Sequence, residues 1–525
     1  MEISEKRIGT EKVESINHDS GGELVDEKTG TAEDRADMAR MGKVQELRRN
    51  FRFVSIWAFS MILVASWECS LVLASVSLFN GGTAGYIWIF FICWMGFMLV
   101  NTSMAEMASM APTTGGQYHW ISEFSPRKHQ KFLSYIMGWL CVLGWQGGCA
   151  SSSFMAGTMI QGLIALNHPD TYVPEGWHGT LLTIAVAAFA VFFNTFLARH
   201  LPTIESGLLV IHFGAFIGIL ATLWALSPDI ADAEIFTQFY DGGGWNSFGI
   251  STLAGITSGI IPLLGADAAA HMSEELQSAS RTIPRSMILT TAVNGLLAWI
   301  MIITFTFCVG SNVDEIVATS TGYPYMALFY KSTGSTASAT IMSVFILLML
   351  ISSNLSIVAT ASRQLFAFAR DEGLPFSTWF ARVSRNELPM NAIIVTFITS
   401  ALLSLINIGS ATALNSITSL STNALLSSYI CSIGCMIWRR WTGAPLLPSH
   451  FSLGRWGLIL NISSVAFLIF AFIFSFFPVS PHPAGNVMNW NMLIYGVVVV
   501  FSMAYYFVQG RKIYVGPCEY VRKLD

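Results

Sequence analysis

Residues 259–275 read Gly259-Ile-Ile-Pro262-Leu-Leu-Gly265-Ala-Asp267-Ala-Ala-Ala-His271-Met-Ser-Glu274-Glu275. Pro262 lacks an N–H and Gly265 tolerates dihedrals closed to other residues. Set in an apolar run, they predict a helix broken near mid-membrane. Backbone freed at such a break is tolerated only where it lines a cavity or is buried in protein. Half-helix ends there supply partial charges for a substrate or an ion. A simple proline kink is the alternative reading. Asp267 and His271 are four residues apart and share a helix face, and Glu274 follows three residues later. That spacing suits a proton path or a cytosolic gate, and equally a packed polar cluster closing the helix end.

The surrounding chain supports the membrane setting. It has 525 residues, 53% apolar and 11% charged, against roughly 25% charged in a soluble chain. This composition implies an all-α polytopic membrane protein and excludes a soluble enzyme, a nucleic-acid binder and a secreted disulfide scaffold. The net charge of -4 is too small to name a partner.

Twelve apolar runs are long enough to cross a bilayer of about 30 Å: 53–79, 85–110, 132–166, 180–197, 201–226, 248–272, 285–310, 336–361, 389–407, 411–438, 456–477 and 491–508. With this map, 27 of the 28 Lys and Arg fall on one side and only Lys331 on the other. Basic loops stay cytosolic, so both termini are expected in the cytosol. Residues 1–50 mix 12 acids with 9 bases and show no apolar stripe, which reads as a disordered cytosolic tail. Residues 51–510 form the membrane domain and 511–525 a second cytosolic tail. Seven of the eight Cys lie in or at the ends of spans, so no structural disulfide is expected. The sequons at Asn101, Asn354 and Asn461 also fall inside spans.

No Lys or Arg lies deep in a span, whereas Glu68, Asp267 and, nearer an end, Glu106 do. An Asp at the bilayer centre costs about 2.5–3.5 kcal/mol on the insertion scale, so each acid is a candidate functional group. An acid-only interior favours a substrate amine or quaternary ammonium, a proton or a metal ion. Glu68 sits in Ala65-Ser66-Trp67-Glu68-Cys69-Ser70, halfway along the first run. Small polar neighbours suit a break or a ligand-facing surface, and Trp67 offers either a cation–π face or simple packing. His212, midway along the fifth run, suits a proton carrier or a neutral histidine bonded to a neighbouring carbonyl. No His/Cys/Asp cluster has metal-site spacing, no GxxxxGK[ST] loop appears, and no cofactor is implied.

Three motifs carry a family resemblance. Met104-Ala-Glu106-Met-Ala-Ser-Met-Ala-Pro112-Thr-Thr-Gly115-Gly116-Gln117-Tyr118-His-Trp120 resembles the second-span motif of the amino acid–polyamine–organocation superfamily. Gly265 to Glu275, followed by Pro284-Arg285, is similar to its sixth-span motif, and Ala361 to Pro375, containing Arg363, to its eighth. The wording around Ser66-Trp67-Glu68 and Gln117-Tyr118-His119-Trp120 looks most like the fungal amino acid/choline branch, which includes GABA and choline permeases.

The resemblance implies a five-plus-five inverted repeat, residues 51–226 and 248–438, with two extra helices over 456–508. Substrate would lie between the broken first and sixth helices. Carried over by position, the site comprises Ala65, Ser66, Trp67, Glu68 and Ser70 with Ile261, Pro262, Leu263, Leu264, Gly265 and Asp267. Glu106, Gly115, Gly116 and Arg363 would be gate or structural elements. Two features depart from the family pattern. The first run has no Gly or Pro from Phe51 to Phe79, which leaves its break unplaced. The fifth lacks the Lys of some proton-coupled relatives, a role His212 would fill.

The function expected is secondary active transport of an amino acid, GABA, choline, polyamine or related alkaloid. Coupling to H+ would run through His212, Asp267 and His271, in the plasma membrane or else a vacuolar or other internal membrane. A non-transporting nutrient sensor of the same fold and a different 12-span carrier are the alternatives.

Overall fold

The computed structural model describes residues 30–310, 313–384, 387–409, 413–483 and 488–517. Among them the regular elements are all helical, with two isolated β-bridges. Eleven helices are long and apolar enough to cross a membrane, and twelve if the bent pair Phe248–Ala254 and Thr257–His271 is one span. Spans 1 to 6 are then Phe53–Val72, Gly82–Met110, Arg127–Asn167, Gly176–Phe196, Ala198–Leu226 and the bent pair. Spans 7 to 12 are Ala279–Val309, Thr336–Arg370, Met390–Ile408, Ser416–Trp441, Gly454–Phe474 and Asn491–Ile513. Spans 3 and 8 run to 41 and 35 residues, well past the apolar stretches read from sequence. Hydropathy stops at the first charges, but the backbone hydrogen bonds do not.

Packing repeats with an offset of five. Span 3 packs on span 4 as span 8 does on 9, span 4 on 8 as span 9 on 3, and span 3 on 10 as span 8 on 5. Spans 11 and 12 lean on the outside of spans 10, 2 and 3.

Both first helices of the two fives are interrupted. In span 1 the helix Phe53–Val64 ends at Ala65, which adopts the left-handed conformation with φ 39° and ψ 53°, and resumes as Ser66–Val72. In span 6, Thr257–Ile260 tightens into the 3₁₀ turn Ile261–Leu263, and Leu264 is extended. Gly265 then takes φ 102° before Ala268–His271. A further bend of 52° separates Phe248–Ala254 from this stretch. The breaks interlock, because Ser66 Oγ donates to Pro262 O at 2.5 Å and Ser353 Oγ of span 8 to Leu63 O at 2.5 Å. Alanine pays about 1–2 kcal/mol for the left-handed region. Ala65→Gly is therefore expected to unfold at the same or a higher temperature, because relief of strain opposes the added chain entropy. Ala65→Val should unfold markedly lower. A thermal scan of both variants in detergent checks this, and a Gly variant less stable than the Val variant would refute it.

Residues 1–29 of the tail read as disordered lie outside the described residues, but 30–50 do not behave as a tail. Thr31 and Asp34 form a reciprocal capping box on the helix Ala32–Arg40. Asp34 also accepts from the backbone N–H groups of Ser278 and Ala279, at 2.9 and 3.1 Å, and so caps span 7. Phe51 pairs in parallel with Leu276. Composition misled here because the polar side chains satisfy helix ends and carbonyls rather than water. At the other terminus, residues 518–525 lie outside the described residues, while Tyr514 is buried and bonded to Ser134.

Candidate functional site

A cavity of about 90 Å³ lies where the two interrupted helices meet. Span 1 contributes Leu63, Val64 and Cys69, and span 6 contributes Ile261, Leu264 and Gly265. Span 3 adds Gly144, Trp145, Gly148, Ser151 and Ser152, span 8 Ser353, and span 10 Thr418, Ser421 and Thr422. Trp145 Cη2 lies 3.6 Å from where a Cβ on Gly265 would stand, so the indole sits against the break itself. The polar lining is hydroxyls, a thiol and the indole, and no acidic or basic side chain lines it among the described residues. A larger hollow of about 340 Å³ shares Ile261 and Thr418 with this cavity. Phe79, Ala254 and the 477–480 segment line it, toward the end opposite the basic loops.

The expected site residues divide in three. Leu264 and Gly265 line the central cavity, and Ile261 lines both hollows. Ala65, Ser66 and Pro262 build the interlocked breaks behind the wall. Leu263 is buried beside them, and Ser70 Oγ donates to Ser66 O at 2.7 Å within its own helix. Trp67 and Glu68 face span 5 instead. The Trp67 ring centroid is 5.9 Å from those of His212 and Phe216. Glu68 Oε1 meets His212 Nδ1 at 2.7 Å, both side chains fully buried. Glu68 Oε2 and His212 Nε2 have no further hydrogen-bond partner. A lone acid and a lone histidine in the sequence are thus one pair that can share a proton.

Asp267 lies beneath the cavity. It accepts from Gln117 Nε2 at 2.6 Å and from Tyr429 OH at 2.5 Å. His271 Nε2 accepts from Trp145 Nε1 at 3.0 Å, and this bond assigns the proton to Nδ1, which donates to Thr114 O at 2.8 Å. The ring is therefore neutral, with Nε2 also 3.6 Å from Asp267 Oδ2. Protonation at Nε2 would break the Trp145 bond and favour Asp267, which links the cavity wall to the second-span motif. Gly116, at φ +56°, gives the ring its space, since a Cβ would stand 2.6 Å from His271 Cε1. Gly116→Ala should cost about 1–3 kcal/mol of strain and cut transport at least tenfold. Initial uptake at matched surface expression measures it, and wild-type uptake would refute the argument.

The basic end is closed by ion pairs. Arg370 forks onto Glu274 at 2.6 and 3.0 Å, and Arg363 Nε reaches Glu275 at 2.8 Å. Lys43 and Tyr118 OH both bind Asp371, and Arg49 donates to Ser273 O and Leu276 O. Gly115 lies against the Tyr118 ring. Burial pushes the Glu274 carboxyl up, but the Arg370 charge and hydrogen bonds outweigh it and hold the group below its ordinary range. Asp371 behaves alike, with Lys43 and then Arg370 overcoming burial. Burial, reinforced by Lys43, pushes His119 down to about 4. Glu106, expected near the end of the second run as a gate or structural element, ties span 2 to span 10 and the 10–11 connection. Its carboxylate takes Arg440 at 2.5 Å and the Leu453 N–H at 2.8 Å.

Sequence reasoning missed the walls from spans 3, 8 and 10. The one usable signal was Trp145 set among Gly144, Gly147 and Gly148, a large ring where helices approach closely. It also missed Glu205, four residues past Leu201 where the α-helix of span 5 begins, and fully buried.

The chain matches the amino acid permease family over residues 51–499. It is 32% identical to a Macrophomina phaseolina protein provisionally named an amino acid/polyamine transporter, over 82% of this chain and 96% of that one. It is 27% identical to the choline transporter of Saccharomyces cerevisiae, over 89% and 82% of the two chains. It is 26% identical to amino-acid permease 2 of Neurospora crassa, over 91% and 88%.

Proposed function

This chain belongs to the amino acid permease family, within the fungal branch of the amino acid–polyamine–organocation superfamily, and is a multi-pass membrane transporter rather than an enzyme; from that premise we propose that it moves a small amine-bearing solute by alternating access, driven by the proton gradient. The observation that carries this reading is the cavity between the two interrupted helices. Its hydroxyls suit a polar headgroup, and the Trp145 indole suits an ammonium or quaternary ammonium. Neutral walls favour a zwitterion such as an amino acid or GABA, or a soft cation such as choline. A polyamine would extend into the 340 Å³ hollow. The Glu68–His212 pair, whose acid directly precedes the wall residue Cys69, supports H+ as the coupling ion.

The basic end, closed here, is taken as the cytosolic end, so this conformation is shut toward the cytosol. The plasma membrane is the proposed location, with uptake as the direction. The test is uptake of labelled choline, γ-aminobutyrate, amino acids and spermidine into proteoliposomes with an imposed proton gradient, with and without sodium. Accumulation that collapses with the proton gradient and ignores sodium is expected. Accumulation that needs sodium and survives collapse of the proton gradient overturns the coupling. Saturable binding of one of these solutes without flux would mark a sensor instead.

A further inference from the structure

Glu205 is an acid for which neither the cavity nor the closed basic end has a use. It sits on span 5 seven residues before His212, two turns of helix and about 10 Å nearer the basic end on the same face. Its side chain is fully buried. Oε1 accepts from Ser356 Oγ of span 8 at 2.6 Å, and Oε2 has no hydrogen-bond partner. None of the ion pairs among the described residues involves it. Of the other charged groups on the helices packed against span 5, Glu68 belongs to the pair with His212, Arg363 is held by Glu275 and Arg370 by Glu274. Arg281 is held by Glu33 and Lys331 by Asp229, while Arg285 is exposed. A bare carboxylate so placed is strongly disfavoured, so the group carries a proton until water or a base reaches it.

What separates Glu205 from the Glu68–His212 pair is equally specific. Leu208, between Glu205 and His212 on span 5, packs in one buried cluster with Ile62 of span 1 and Met349 of span 8. On span 1 Ile62 comes six residues before Glu68, and on span 8 Met349 comes seven before Ser356. Along span 5 the order from the basic end is therefore acid, apolar plug, acid–histidine pair.

We propose that Glu205 is a second proton station, on the release side of the coupling pathway, and that the Ile62–Leu208–Met349 cluster is the barrier keeping protons from leaking between stations when no solute moves. The proposal rests on the proton-coupled reading above. In the transport cycle Glu205 first gives its resting proton to water entering from the basic end, breaking its O–H bond. As the plug parts, the H–N or H–O bond at the Glu68–His212 pair breaks and a new O–H bond forms at Glu205, which returns to its protonated starting state. The pair is reloaded from the opposite side, so one proton crosses and none is consumed.

The experiment uses the full chain in proteoliposomes with an imposed proton gradient and, as probes, labelled choline and γ-aminobutyrate. Wild-type protein should accumulate one of them in proportion to the gradient. Glu205→Gln should equilibrate the same probe, with exchange of internal for external label within twofold of wild type, but lose accumulation at least tenfold. Glu205→Asp should restore at least half of the accumulation, which separates proton carriage from a merely structural role. If Glu205→Gln accumulates like wild type, or its exchange is lost along with accumulation and Glu205→Asp restores neither, the proton station is refuted while coupling through Glu68–His212 stands. If wild-type accumulation of both probes is indifferent to the gradient, the proton-coupled reading itself fails and this proposal with it.

Discussion

Arg370→Ala is expected to unlock the basic end. The substitution leaves Glu274, 1% exposed at its side chain, as a buried charge without its forked partner. Breaking such a pair costs about 3–5 kcal/mol, about two to nearly four orders of magnitude in the equilibrium between closed and open. The cost falls on the closed state alone, because water can reach Glu274 once the end opens. A cysteine placed at Thr114, which touches Ser273 and the His271 ring there, should then be alkylated at least tenfold faster from the basic side. An unchanged rate in a folded variant would contradict the latch.

The same pairs fix a pH window. Glu274 and Asp371 lie below their ordinary values of 4.5 and 3.8, so their contribution to closure is complete above that range. It is lost only as pH falls through the lowered values. Between pH 5 and 7.5 Glu274 and Asp371 should therefore stay charged and hold their partners.

The second large effect belongs to Glu68→Gln. Glutamine keeps the shape and a hydrogen bond to His212 but cannot take up and release a proton. A gradient of about two pH units can drive about hundredfold accumulation per symported proton, at 1.36 kcal/mol per unit. The variant should fall from that ratio to simple equilibration, while still exchanging solute. His212→Ala should do worse and also lower thermal stability, since it strands the acid with no partner. Gradient-driven accumulation that survives in Glu68→Gln would move the coupling elsewhere.

The fold was legible because it rests on coarse physics. Twelve apolar runs and the one-sided Lys and Arg distribution needed no contact information, and Pro262 with Gly265 marked the sixth-span break. The first-span break was not legible. Ala65 adopts a left-handed conformation that alanine seldom visits, and it is held there by Ser66 bonding to Pro262 O and Ser353 bonding to Leu63 O, on spans 6 and 8. Glu68 and His212 were each visible as unusual residues, yet nothing in their spacing of 144 positions announced a pair. The cavity walls were the least legible part. Serines and threonines such as Ser151, Ser353 and Ser421 occur throughout apolar helices, and only packing decides which of them face a hollow. The segment 30–50 shows the opposite error, where high polarity marked groups that cap span 7 and bind the closed end.

The most direct test of the central claim is protection of the cavity by its solute. Ser421→Cys, in a background with Cys69 replaced by Ser, places one reactive thiol in the wall between the interrupted helices. The account predicts that the transported solute slows alkylation of this thiol, half-maximally at the concentration that half-saturates transport. Undiminished alkylation at concentrations that saturate transport would show that the solute is held somewhere else.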